Sequence, residues 1–290
     1  MFSTLLKFLK IAATSVGLLV ILTSCGSPRT VGDVITDGAL TRNDPSTRFI
    51  PEATTTWHAQ LQGNITINPA VDLYIVDLFS ATPTLTRDIR NRGARVICAF
   101  SGGSYKPSTP DSSRFSIDMF GGAVANTEKE IWLDHRIPAV RRNIDQRLEL
   151  AKQSGCDGVA VSRLDGIHAS HGINGLASAD QFEYNRFLTE RAHARRLSIG
   201  LFDSLAEAQR MAVFFDFALS RDCHAQNRCP RLSEFVRLGK AALVTESDQT
   251  HLRTATDKSR FCRNTLINGY NLVFAPKELD GTFRETCQTT

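Results

Sequence analysis

From about position 56 onward, short apolar runs alternate with longer stretches whose apolar residues recur at helical spacing. Short apolar runs bounded by turn formers read as buried strands, and apolar positions three and four apart read as amphipathic helices. The strand-like runs are Thr56–Leu61, Leu73–Phe79, Arg95–Phe100, Gly158–Val161, Ser198–Phe202, Phe214–Leu219, Ala241–Thr245 and Asn271–Phe274. The clearest helical stretches between them are Ala139–Ser154, Ala179–Arg195, Ser204–Ala212 and Pro230–Leu238. Gly155 stands where a helix ending at Ser154 needs a left-handed cap. Alternating strands and helices predict a parallel sheet, and eight such units in about 235 residues fit a single closed (β/α)8 TIM barrel over positions 56–290. An open doubly wound sheet would carry a glycine-rich phosphate turn after its first strand, and Leu61-Gln62-Gly63-Asn64-Ile65 is not one. The stretch Ser101–Asp134 is then a large loop on the carboxyl-terminal face, where such barrels carry their sites.

The start of the chain has another pattern. Lys7 and Lys10 precede the apolar run Ile11 to Leu22, which ends at Leu22-Thr23-Ser24-Cys25. A charged start, a short apolar core and small residues at the exit describe a secretory signal, too short to span a bilayer comfortably. The Leu-x-Ser-Cys ending is similar to a bacterial lipobox, which implies cleavage after position 24, acylation of Cys25 and a lipid anchor on an extracytoplasmic protein of the bacterial cell envelope. Positions 25–55, rich in Ser, Pro, Thr, Asp, Gly and Arg, read as a tether.

Charge adds little. The net charge is +4, and removing the signal takes away two lysines and no acid, leaving +2. No basic stripe is visible, so nucleic acid is not an expected partner. Seven cysteines occur, and the six beyond Cys25 form an even set that in an exported chain favours disulfides over metal thiolates. Chain proximity favours Cys223 with Cys229 and Cys262 with Cys287, leaving Cys98 and Cys156 on adjacent strand regions; fifteen connectivities are formally possible.

Several segments in register carry a resemblance: Trp57-His58-Ala59-Gln60-Leu61-Gln62-Gly63, Tyr74-Ile75-Val76-Asp77-Leu78-Phe79, Val96-Ile97-Cys98-Ala99-Phe100-Ser101-Gly102-Gly103-Ser104, Trp132-Leu133-Asp134, Gly155-Cys156-Asp157-Gly158-Val159, Asp216-Phe217-Ala218, and Gly239-Lys240, with the cysteines at 223, 229, 262 and 287. Together they resemble glycoside hydrolase family 114, the endo-α-1,4-polygalactosaminidases. The resemblance implies a (β/α)8 barrel, a galactosamine-containing polysaccharide or oligosaccharide ligand, and no cofactor or metal.

The departures fall where the chemistry belongs. The family's Gly-Val-Glu-Pro-Asp-Asn-x-Asp is here Gly158-Val159-Ala160-Val161-Ser162-Arg163-Leu164-Asp165. Gly-Leu-Lys-Asn has become Gly200-Leu201-Phe202-Asp203, and Asn-Glu-Gln-Cys has become Ser220-Arg221-Asp222-Cys223. The resemblance therefore places Ser162 and Arg221 at the positions of the catalytic carboxylates, and Lys106 and Thr109 where Glu and Arg are common. Glycoside hydrolysis normally uses a protonated carboxyl and an ionised carboxylate. Serine offers no usable acid near neutral pH, and arginine stays charged.

Other carboxylates stand at predicted strand ends: Asp77, Asp165, Asp203 and Glu246. Trp57, Phe100, Tyr105 and Phe202 are candidate faces for sugar rings, or else core aromatics. His168 and His171 stand with two residues between them near Asp165, a weak metal spacing for which Asp165 or His193 would be the further ligand; a solvated or structural pair is the expectation. No Ser-His-Asp order, nucleophile elbow or phosphate loop is present. Three readings follow. The chain is a sugar-binding protein whose hydrolysis is lost, a pseudoenzyme; or a glycosidase with a relocated carboxylate pair; or a scaffold for a protein partner, with Arg163 and Arg221 filling the mouth by ion pairs and leaving no pocket.

Overall fold

The computed structural model describes residues 48–287. The signal-like segment, Cys25 and most of the tether lie outside the described residues. Among them, no helix is long and apolar enough to cross a membrane.

The frame is a curled sheet. Its parallel strands are β1 (Trp57–Gln60), β2 (Leu73–Asp77), β3 (Arg95–Ser101), β7 (Gly158–Ser162), β8 (Ser198–Phe202), β9 (Phe217–Arg221), β10 (Ala242–Glu246) and β11 (Tyr270–Phe274), hydrogen-bonded in that order. A short strand, β12 (Glu285–Thr286), pairs antiparallel with β11 at the ninth place. Helices α1 (Pro83–Asn91), α2 (Pro138–Gln153), α3 (Ser178–Ala194), α4 (Ala208–Met211), α5 (Ser233–Arg237) and α6 (Ala255–Ile267) fall between strands.

Each parallel strand is buried along nearly all its length, as a sheet covered on both faces requires. Alternate residues face opposite ways. One set, including Trp57, Ile75, Ile97, Phe202, Phe217 and Leu243, packs on itself with no helical residue among it. The other set, including Val76, Val161, Ile199 and Leu272, meets helical residues such as Ile89, Leu148 and Leu188. Gly200 makes the inner packing possible, because a Cβ there would come within 2.2 Å of the Phe217 ring. Thr82 caps α1 by accepting from the Leu85 N–H, Thr254 caps α6 by accepting from the Asp257 N–H, and Gly155, as the sequence implies, takes φ +84° after α2.

The first and eighth parallel strands approach through side chains, with Trp57 Nε1 donating to Asn271 Oδ1 at 2.9 Å, while the Arg284 guanidinium, just before β12, donates to the Trp57 carbonyl. No backbone ladder between β1 and β11 is seen among the described residues, so the sheet is TIM-barrel-like without a complete ladder.

Three details differ from the sequence reading. The sixth apolar run becomes a strand only from Phe217, because Lys240 Nζ is held by the carbonyls of Ala212 and Phe215 and keeps that approach in a turn. The stretch after β3 is not one loop: β4 (Ser104–Tyr105), β5 (Phe120–Ala123) and β6 (Ile131–Leu133) form a small antiparallel sheet in the order β4-β6-β5. Ordered contacts also begin before position 56, with Arg48 on Asp216 at 3.0 Å and the Asn271 amide donating to the carbonyls of Ala53 and Thr55.

The three cysteine pairs are Cys98–Cys156, Cys223–Cys229 and Cys262–Cys287.

Candidate active site

Parallel strands aim their carboxyl ends at one mouth. The turns leaving β7, β8 and β9 share an uncommon feature: the residue after each strand, Arg163, Asp203 and Asp222, has a positive φ of 63°, 52° and 52°. Asp tolerates that region; Arg does so less readily, and such strain, of order 1–3 kcal/mol per residue, gathers at functional sites. Gly103 allows the turn after β7 to come close, since a Cβ there would lie 1.8 Å from the Arg163 carbonyl oxygen.

The mouth holds a cavity of about 190 Å³. Asp77, Ser162, Asp165, Asp203 and Arg221 line it, with Phe100 and Phe202. Three candidates lie elsewhere. Glu246 is buried away from the cavity at 1 % exposure, Trp57 is wholly enclosed in the inner core, and Tyr105 packs against Phe115 and Phe120 in the small-sheet region. Tyr105 leaves the mouth because the small sheet turns it toward those rings. Glu246 is enclosed because the loop after β9 closes over the end of β10, with the Ala225 N–H reaching its Oε2 at 3.4 Å.

Ion pairs occupy much of the mouth. Arg221 donates to Asp203 through both its backbone N–H and Nε, each at 2.7 Å, and its guanidinium lies 5.1 Å from the centre of the Phe202 ring. Arg163 Nη2 meets Glu130 at 2.8 Å, and Lys106 meets the same buried carboxylate at 3.0 Å. Arg147 of α2, almost fully buried, grips Asp111 at 2.7 and 2.9 Å and donates to the Ser101 carbonyl. The cavity persists beside these pairs, so the arginines do not fill the mouth.

Three carboxyls there, Asp77, Asp165 and the exposed Glu278, have no such cation clamp among the described residues. Asp77 accepts from the N–H groups of Phe79 and Ser80, yet burial raises its pKa against those bonds. Burial also raises Asp165, opposed by the Ala206 N–H and by the charges of Arg228, Arg163 and His168. A desolvated carboxyl in a cleft can hold a proton near neutrality or receive an ammonium group. Among the described residues Ser162 Oγ reaches only the Phe100 carbonyl, at 3.5 Å.

The histidines are engaged locally: His168 Nε2 with Glu207 at 2.7 Å, His171 Nδ1 accepting from the Ile173 N–H, and His193 with Asp216 at 2.9 Å. Sequence reasoning missed Phe79, Glu130, Arg147 and Glu278, all in the cavity wall. Glu130 had a faint signal in its place just before the Trp132-Leu133-Asp134 match, and Arg147 had one as the charged member of the apolar stripe of α2, whereas Glu278 carried none.

A curled parallel sheet with a charged mouth at its strand ends defines a TIM-barrel-like α/β protein, and its family and structural relatives make it carbohydrate-active-enzyme-like. The chain belongs to glycoside hydrolase family GH114, whose family profile matches residues 38–290. It is similar in structure to Aspergillus fumigatus Ega3 in complex with galactosamine, at 26 % identity and a TM-score of 0.74, covering 83 % of this chain and 98 % of that one. The glycoside hydrolase domain of PelA from Pseudomonas aeruginosa shares the fold, with 12 % identity, a TM-score of 0.59 and coverage of 81 % and 99 %. No curated protein matches.

Proposed function

We propose that this chain is a sugar-binding member of its family that has lost the family's hydrolytic pair, held at the bacterial envelope by a lipid on Cys25. In this reading residues 1–24 are a cleaved signal, a tether follows, and the eight parallel strands close into a (β/α)8 barrel through the side-chain link between β1 and β11. The three disulfides fit an oxidising compartment. Intact-mass analysis of envelope-derived protein tests the anchor: an unmodified Cys25, or a terminus elsewhere, refutes it.

One observation carries the loss of hydrolysis. At the end of β9, where the family pattern has a glutamate, Arg221 is clamped by Asp203, and at the end of β7 stands Ser162. Neither side chain exchanges a proton near neutrality, while proton transfer alone supplies roughly 10²–10⁴ in rate. The ligand we assign is a galactosamine-containing oligosaccharide. The Ega3 complex with galactosamine supports it, and so do Asp77 and Asp165, two mouth carboxyls available to an ammonium group.

The experiment pairs calorimetric binding with a reducing-end assay on partially deacetylated α-1,4-linked galactosamine oligomers, using the parent, Asp77→Asn and Asp165→Asn. Binding without turnover is the expected result, weakened in both variants. Robust turnover abolished by either change means that Asp77 and Asp165 form a relocated pair, and the inactive reading is wrong.

A further inference from the structure

Beside the mouth lies a second cavity of about 470 Å³, which shares Arg163, Asp165 and Asp203 with the first. The two adjoin at those shared side chains, the second forming a side arm beside the turns after β7, β8 and β9. Their charges are arranged differently. In the mouth each cation has a carboxylate partner: Lys106 and Arg163 on Glu130, Arg147 on Asp111, Arg221 on Asp203. In the side arm, Arg228 and Arg231 have no carboxylate oxygen within 4.0 Å among the described residues. The one polar contact of the Arg228 side chain there is with Gln226 Oε1, at 3.2 Å.

These arginines sit on a fixed support. The Cys223–Cys229 disulfide closes a loop of sequence separation 6 directly after β9, and the N–H groups of Arg228 and Cys229 both donate to the Cys223 carbonyl, at 2.8 and 3.3 Å. The Arg231 N–H donates to the Arg228 carbonyl at 3.0 Å, so the two residues share one short turn. A cation held on a stapled turn loses less freedom when it binds than one on a mobile loop.

We propose that this side arm is a subsite for an anionic sugar unit, whose carboxylate is gripped by Arg228 and Arg231 while a neighbouring amino sugar occupies the mouth. The proposal rests on the reading of the mouth as a sugar site. The planar guanidinium fork matches a carboxylate in two parallel hydrogen bonds, which a lysine ammonium cannot reproduce. The glycan it selects has mixed charge: acid-bearing at Arg228 and Arg231, amino-bearing at Asp77, with Asp165 on the wall that both cavities share.

The test is calorimetric titration of the full chain with tetragalacturonate, with an α-1,4-linked galactosamine tetramer and with inorganic phosphate. The proteins compared are the parent, Arg228→Ala/Arg231→Ala and Arg228→Lys/Arg231→Lys, all checked for an unchanged thermal midpoint. The parent should bind tetragalacturonate in a salt-sensitive way, the alanine pair should bind it at least about tenfold more weakly, and the lysine pair should fall between. The galactosamine tetramer should bind the alanine pair as well as the parent, or better. Absence of tetragalacturonate binding to the parent, equal binding by the alanine pair, or displacement by phosphate at equal concentration each overturns the subsite. Failure of the galactosamine tetramer alone removes the sugar-site reading of the mouth, so the two failures are separable.

Discussion

Over β2, β3, β7, β8 and β9 the carboxyl-terminal face is an open, charged mouth, whereas over β10, β11 and β1 it is shut except at the rim, where Leu61, Gln62 and Glu278 reach the cavity. There Leu279, fully buried, accepts from the backbone N–H groups of Leu61 and Gln62 at 2.7 and 3.3 Å. The buried Gln60 amide donates to the carbonyls of Gln62, Asn64 and Asp280, and its oxygen accepts from the Thr66 N–H. Asp165 and Glu246 show what this difference does. Both follow or end a parallel strand, yet Asp165 faces a cavity, while Glu246 is enclosed with Oε1 unpaired. Strand ends supply direction, and the loops above them decide whether a carboxyl meets solvent and ligand or only protein.

The largest effect should come from cutting the covalent tie beneath the open half. Cys98→Ala/Cys156→Ala removes a cross-link of sequence separation 58 and should cost about 4 kcal/mol in denaturant unfolding, against about 2 kcal/mol for the Cys223–Cys229 pair. Equal losses would show that packing, not chain restriction, sets the stability of the open half.

Next comes the pH response of the shut half. Burial and then the nearby Asp222 push the pKa of Glu246 up to about 7, from 4.5. A carboxyl raised on folding contributes stability that is fully present below the unfolded value and is lost as pH rises through the folded one. Stability should therefore fall by about 3 kcal/mol between pH 4.5 and pH 8, and Glu246→Gln should remove most of that fall. A variant with the parent's slope would place the titration elsewhere.

Gln60→Ala should cost about 2 kcal/mol, because it strands buried carbonyls, and it should speed hydrogen exchange at Leu61 and Gln62. Protection unchanged at those amides would mean that Leu279 alone holds the shut half. The smallest stability effect is expected from Asp165→Asn. Its raised pKa means that the ionised form costs stability, so the thermal midpoint at pH 8 should hold or rise while amino-sugar binding weakens. A lower midpoint would make Asp165 a structural group.

The chain's pattern by itself determined the strands, because a strand covered on both faces must be an almost continuous apolar run and its helices must keep a 3.6-residue period. Ser162 and Arg221 were legible as departures, since a motif is local in sequence. The pairings of Cys223 with Cys229 and Cys262 with Cys287 followed from short separations. The start of β9 was not legible, because Phe214-Phe215-Asp216-Phe217 is apolar on both sides of the boundary and only the hold of Lys240 on Ala212 and Phe215 sets it. Tertiary structure alone decided which strand-end groups share a cavity. Asp77, Asp165 and Asp203 reached it; Glu246 and Trp57 did not, and Glu130 arrived from a strand edge and Arg147 from the buried stripe of α2, whose period turns it inward without naming its partner. The physical reason is that burial and charge pairing at the mouth depend on contacts between residues far apart in the chain, such as Arg147 with Asp111 and Arg163 with Glu130, and no local period encodes them.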